Sequence, residues 1–231
     1  MEREYYIKVS NRKGKKLKPM FSAKKAFKLQ RLLAEKVSWE GRISKLEFVV
    51  GLDLAYVGSK GVAVAALTRM PDLRLIRYSV VIGEVPIPYV PGLLAFREAP
   101  LMFKAYEKLG VQADLIVVDG HGVTHPRGLG IASHIGVVLD TPSIGAAKKV
   151  LTGEVREVNG KEYLFINGRP GAVVVRPRKN KAIYLSIGHK VGLEEIERLS
   201  KILFKGHTLP EPTYVADKVT KEVRRKLVKN R

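Results

Sequence analysis

The chain has 231 residues, enough for one sizeable core, and is strongly basic: 42 Lys and Arg against 22 Asp and Glu give a formal net charge of +20. It contains no cysteine, which excludes disulfides and Cys-ligated zinc, and its apolar runs stop well short of a membrane span. Such a charge excess points to a polyanionic partner, nucleic acid first among them. Segment 11–18 (NRKGKKLK) and the terminus 221–231 hold much of it, and Lys148, Lys149, Arg176, Arg178, Lys179 and Lys181 repeat it inside the body. The first eighteen residues lack the apolar core of a signal peptide, so a cytoplasmic protein without a membrane partner is expected. No linker-like stretch or internal repeat divides residues 1–231, and a single domain is expected.

Residues 22–37 have the periodicity of an amphipathic helix with Ser22 as its cap. Extended segments over 46–56, 61–69 and 73–85 follow, joined by short turns, which predicts an antiparallel meander. The link PIPYVPG (86–92) leads into a helical region ending near Gly110, which Pro100 kinks or restarts. Residues 114–120 (DLIVVDG) form a short apolar run typical of a buried parallel strand. Next come a glycine-rich loop, a helix over 129–136, an apolar stretch at 137–139, and a short helix at 144–151 (IGAAKKVL). Strands over 161–167, 171–177 and 182–187 precede helices over 193–204 and 213–228. Three antiparallel strands followed by alternating helices and strands define an α/β protein with a mixed central sheet flanked by helices.

One carboxylate is set inside the first strand, FVVGLDLAY (48–56). Alternation puts Phe48, Val50, Leu52, Leu54 and Tyr56 on one face, and Val49, Gly51, Asp53 and Ala55 on the other. A lone buried acid is costly, so Asp53 is either paired in the core or a ligand, and its small neighbours leave clearance for a metal ion and a phosphate. Asp119 ends a later strand, the position where open α/β sheets collect their ligands. Glu98 follows the proline-rich link. Acids converging from separate elements repel unless a cation neutralises them, and hard oxygen ligands without cysteine point to Mg²⁺, with Mn²⁺ able to substitute. Each acid also has a plain reading, as a surface helix residue or a strand-end cap.

The blocks GLDLAY, PYVPGLLAFREAP, VVDGHGVTHPRGLGIASHIG and PSIGAAKKVLTG, in this order, resemble the endonuclease V family. The similarity spans at least 47–152 and continues through SIGHKVGLEEIERL and LPEPTYVAD. The resemblance implies a ribonuclease-H-like fold and a monomer that repairs deaminated adenine. Such an enzyme cuts the second phosphodiester bond 3′ to a deoxyinosine in DNA. An inosine-containing RNA is the other substrate it allows, and a non-catalytic basic nucleic-acid-binding module is the alternative outside the enzyme class.

The resemblance also assigns residues. It implies metal ligation by Asp53, Glu98 and Asp119. It puts Lys148 near the attacking water or the phosphate, against the plainer reading of a basic surface residue. His125 falls near the scissile phosphate or, equally, fastens its own loop. Asp217 lies about 160° around the last helix from the Val215, Val219, Val223 and Leu227 stripe. It approaches the metal site or favours the helix N-terminus, the former being preferred. Pro86, Pro88 and Pro91 stiffen the link around Tyr89 and Val90, and the resemblance makes Pro88–Pro91 a wedge entering the duplex beside the lesion. Gly120, Gly122, Gly128 and Gly130 would let backbone approach a base. The implied base pocket uses backbone near Leu94, Gly120 and Ile131.

Overall fold

The computed structural model describes residues 21–178 and 181–229; the basic segment 11–18, Lys179 and the last two residues lie outside the described residues. The elements are α1 (Ala23–Ala34), β1 (Phe48–Val57), β2 (Lys60–Arg69), β3 (Arg74–Glu84), α2 (Leu94–Leu109), β4 (Leu115–Val118) and α3 (Ile131–Leu139). After these come β5 (Ser143–Ala147), β6 (Glu154–Val158), β7 (Lys161–Ile166), β8 (Arg169–Arg178), β9 (Lys181–His189), α4 (Leu193–Ile202) and α5 (Glu211–Lys229). The nine strands form one sheet in the order β3-β2-β1-β4-β5-β9-β8-β7-β6. β1, β4 and β5 run parallel at its centre, and every other pairing is antiparallel. This is the mixed, helix-flanked sheet expected of a ribonuclease-H-like fold.

The two faces of β1 and β2 are covered by different helices. Val50, Leu52, Ala63 and Ala65 pack with Ala95, Ala99, Met102 and Ala105 of α2. Val64 and Ala66 pack with Ala216 and Val219 of α5. β2 is therefore buried along its length apart from its two ends. Each fully buried Leu or Met in this core stabilises the fold by about 1.5–3 kcal/mol. Ser22 caps α1 through Lys25 N, as its sequence predicts.

Several elements differ from the sequence reading. Residues 143–147 are a central strand, not a helix: β5 is buried along its length and lies between β4 and β9. Its alanines favour a helix locally, but burial on both faces of a parallel sheet overrides that preference. Residues 137–139 belong to α3 rather than to a separate extended stretch. α2 runs unbroken through Pro100. The exposed strand β6 has too few apolar residues to register as buried sheet. Its turn was legible all the same. Asn159-Gly160 and Asn167-Gly168, all at positive φ, close the β6–β7 and β7–β8 hairpins as Asn-Gly turns do.

His134 of α3 lies buried between Phe96 and Phe103 of α2, with ring centroids 5.1 Å and 6.2 Å away and Nδ1 without a partner. Burial pushes its pKa down to about 4. Below pH 6.5 the unfolded chain therefore takes up a proton that the folded chain refuses until about pH 4, so stability falls across that window. His134→Leu is expected to reduce the stability lost between pH 7 and pH 4.5 by roughly 2 kcal/mol, read from urea midpoints at the two pH values. An unchanged acid loss would show that the buried ring is not what resists protonation. No helix among the described residues is long and apolar enough to cross a membrane.

Candidate active site

The parallel pairing of β1 with β4 brings two acids side by side. Leu52 pairs with Val118, and Asp119 N donates to Leu52 O at 3.1 Å, so Asp53 and Asp119 are the next residues along neighbouring strands. Glu98 enters from α2, 8% exposed, where Tyr56 at the end of β1 donates to its Oε1 at 2.9 Å. Arg97 Nε donates to the same tyrosine oxygen at 3.0 Å, and its guanidinium lies over the Tyr56 ring. Lys148, one residue beyond β5, places Nζ 2.5 Å from Asp119 Oδ2. From the opposite face, Thr220 of α5 donates to Asp53 Oδ2 at 2.5 Å.

Charge and burial act jointly here. Burial raises Asp53 to about 6; the Thr220 hydrogen bond opposes the shift, and Asp119 and Asp217 add to it. Burial likewise raises Glu98 to about 7, against the hydrogen bond from Tyr56 and with the charges of Asp53 and Asp119. Burial works to lower Lys148, but Asp119, Asp217 and Asp53 outweigh it and the ammonium is held above its usual pKa. As they stand, no three His, Asp or Glu side chains among the described residues are gathered tightly enough to hold a metal ion. Even so, the donor set fits one: hard carboxylate oxygens, two of them on groups whose pKa values burial raises to about 6 and about 7, with a lysine ammonium in contact with Asp119.

Asp217 belongs to this group, although for a reason the helical wheel of valines did not show. α5 approaches the sheet along Thr213, Ala216, Val219 and Thr220, so Asp217 borders the buried stripe instead of opposing it. It pairs with Lys221 at 2.6 Å. Gly51 does not provide clearance for a ligand. Its missing Cβ is replaced by α5 itself, since an ideal Cβ would lie 2.0 Å from Pro212 O. Arg176 is taken from the free basic residues by a bidentate pair with Glu162.

His125 is buried, accepts from Arg127 N at 3.2 Å and hydrogen-bonds the Gly92 backbone. Burial, with the charge of Arg127, lowers it to about 4, so it is neutral at pH 7. Its partners are therefore those of a loop fastener. Tyr89 projects from the link at 66% exposure while Val90 is buried against Ala26 and Leu93, and Pro88 and Pro91 flank them. Gly120 meets Ile131, whose Cγ2 would lie 2.6 Å from a Cβ there; Leu94 lies exposed in the first turn of α2. Gly122 and Gly130 are required by the protein's own backbone, because a Cβ would meet Ile187 O at 1.9 Å and His121 O at 2.2 Å.

Three residues escaped the sequence reading: Thr220, Tyr56 in its polar role, and Gln30. The amide of Gln30 donates to Gly92 O and Leu129 O, each at 2.9 Å, and accepts from Arg127 Nε at 2.5 Å. It thereby fastens the proline-rich link to the glycine-rich loop. A glutamine four residues after Ala26, on the buried face of α1, was the available signal.

A mixed sheet that gathers carboxylates and a lysine at the carboxyl ends of its parallel strands defines an enzyme of the ribonuclease-H-like type. The Endonuclease V family model matches residues 31–218. The Endonuclease V of Desulfurococcus amylolyticus is 45% identical over 204 residues, 85% of this chain and 93% of that protein. Among solved structures, Streptomyces avermitilis Endonuclease V superposes with a TM-score of 0.82 at 30% identity, covering 90% of this chain and 95% of that one. Human Endonuclease V gives a TM-score of 0.81 at 28% identity, covering 90% and 100%. A Ciona intestinalis Endonuclease V, bound to a 24mer DNA containing an inosine followed by a ribo-adenosine, shares the fold. The chain belongs to the endonuclease V family and is an endonuclease.

Proposed function

We propose that the protein is a DNA repair endonuclease that recognises deoxyinosine and hydrolyses the second phosphodiester bond on its 3′ side with Mg²⁺. The observation that carries this reading is the approach of Asp53, Glu98 and Asp119 to one another, with Lys148 and Asp217, on the central strands and the helices that cover them, in a chain with a net charge of +20. The 24mer bound by the Ciona relative, a DNA with an inosine followed by a ribo-adenosine, supports an inosine-containing strand as the substrate.

Asp53, Glu98 and Asp119 would hold the ion. When bound, Mg²⁺ supplies positive charge to the phosphoryl oxygens and makes water easier to deprotonate. Asp53 below about pH 6 and Glu98 below about pH 7 hold protons that have to leave before either can serve as a ligand. Lys148 stays charged at neutral pH, so it stabilises negative charge on the phosphate and does not act as a base. Thr220 and Tyr56 orient the Asp53 and Glu98 carboxylates. Tyr89, held out from a link anchored by Val90, is shaped to fill the space left by a rotated base.

The test offers matched strands carrying deoxyinosine, riboinosine or an ordinary base, with Mg²⁺ or chelator, and maps the cut. Metal-dependent incision directly after the 3′ neighbour of deoxyinosine, at the second phosphodiester bond, is expected. No incision of any inosine strand overturns the enzyme reading, and a preference for riboinosine overturns the DNA assignment. Tyr89→Ala is expected to reduce the preference for inosine over undamaged duplex about tenfold, the loss of about 1.4 kcal/mol out of an unstacking cost of a few kcal/mol. An unchanged preference in competition binding would remove the wedge role.

A further inference from the structure

Beyond Lys148 a second binding surface opens. A cavity of about 650 Å³ lies between the ends of β5 and β8, the start of β9 and α5. It is lined by five basic side chains and one carboxylate, Asp217. Two of the five are already engaged, Lys148 with Asp119 and Lys221 with Asp217. Lys149, Arg178 and Lys181 are exposed and have no carboxylate partner among the described residues. Deeper in the groove, His207 and Tyr214 stack with centroids 3.5 Å apart and planes at 10°.

The groove lies on the α5 side of the sheet, whereas the link bearing Tyr89 leads into α2 on the other side. A strand with its altered base beside Tyr89 and Gly120 and its reacting phosphate at Asp119 leaves the site past Lys148. The geometry points to this groove as the track for the nucleotides 3′ of the cut, an assignment that rests on the proposed function for its polarity. Lys149, Arg178 and Lys181 contact successive phosphates there, and the stacked His207–Tyr214 pair presents a flat wall to a sugar or base. Apolar or cationic ligands are disfavoured by the same lining: an anionic polymer relieves the mutual repulsion of three uncompensated cations, and a compact anion meets only part of it.

The experiment measures binding in chelator, without cutting, to duplexes carrying one deoxyinosine. One arm is kept constant while the 3′ or the 5′ arm is lengthened by ten nucleotides. The wild-type chain is expected to bind the duplex with the long 3′ arm at least about tenfold more tightly than the short one, with a steeper salt dependence. The triple variant Lys149→Glu, Arg178→Glu, Lys181→Glu is expected to lose that gain, and its log affinity–log salt slope to become shallower by about 3, at about 0.9 per phosphate. Its affinity for the short duplex, and the gain from a longer 5′ arm, are expected to stay within about twofold of wild type. A retained 3′ gain, a loss confined to the 5′ arm, or an equal loss on long and short duplexes overturns the assignment. Binding that follows this pattern in a chain that cuts no inosine strand would overturn the nuclease reading alone.

Discussion

Asp119→Asn is expected to lower strand cutting at least about a thousandfold while binding of the inosine duplex persists, as for the loss of a group that meets charge only during reaction. Among the described residues Asp119 is the acid in contact with Lys148, and its charge reaches both Asp53 and Glu98. Removing it takes away one of the three proposed ligands and frees the lysine. The substitution also relieves repulsion among neighbouring acids, so the thermal midpoint should hold or rise. Asp53→Asn should lose activity comparably. An Asp119→Asn protein that cuts at a tenth of the wild-type rate refutes the assignment.

The same pair of raised carboxyls sets the pH dependence. Below their pKa values, near 6 and 7, Asp53 and Glu98 are protonated and poor ligands; above them they are ionised. Mg²⁺-dependent cutting by the wild-type chain is therefore expected to climb with pH through 6–7 and level off beyond. The two groups feel each other's charge, so the rise belongs to the pair. A rate that is flat from pH 5.5 to 8 at saturating Mg²⁺ would show that neither proton has to leave.

Gly51→Ala is expected to destabilise the fold by about 3 kcal/mol, near the upper end for overpacking. The added methyl would lie 2.0 Å from Pro212 O and 2.1 Å from Pro212 C, both backbone atoms. No rotamer change can clear them, so α5 has to lift from β1. Thr220 and Asp217 travel on that helix, and cutting should fall even where the variant remains folded. Gly110→Ala provides the contrast: its φ is +60° with nothing within 4 Å, so only about 1 kcal/mol of backbone strain is expected and cutting stays intact. Equal denaturant midpoints for the two variants would show that the close approach at Gly51 is not what limits packing.

What the sequence determined by itself is local. Alternation in 48–56 put Asp53 on the face opposite five large side chains, because a strand's period is two whatever packs on it. Asp119 at the end of LIVV, the β1–β3 meander and the helix over 23–34 were legible for the same reason, since each is written in one segment's pattern. Only the tertiary structure decided which face each partner came from. It made 143–147 a strand by covering both its sides, and it filled the gap at Gly51 with α5. It brought Thr220 to Asp53 across 167 positions and Gln30 to Leu129 across 99. It also separated Arg176, neutralised by Glu162, from Lys149, Arg178 and Lys181 in the groove. Periodicity reports where one segment is apolar, whereas contacts between distant segments are settled by packing the whole chain.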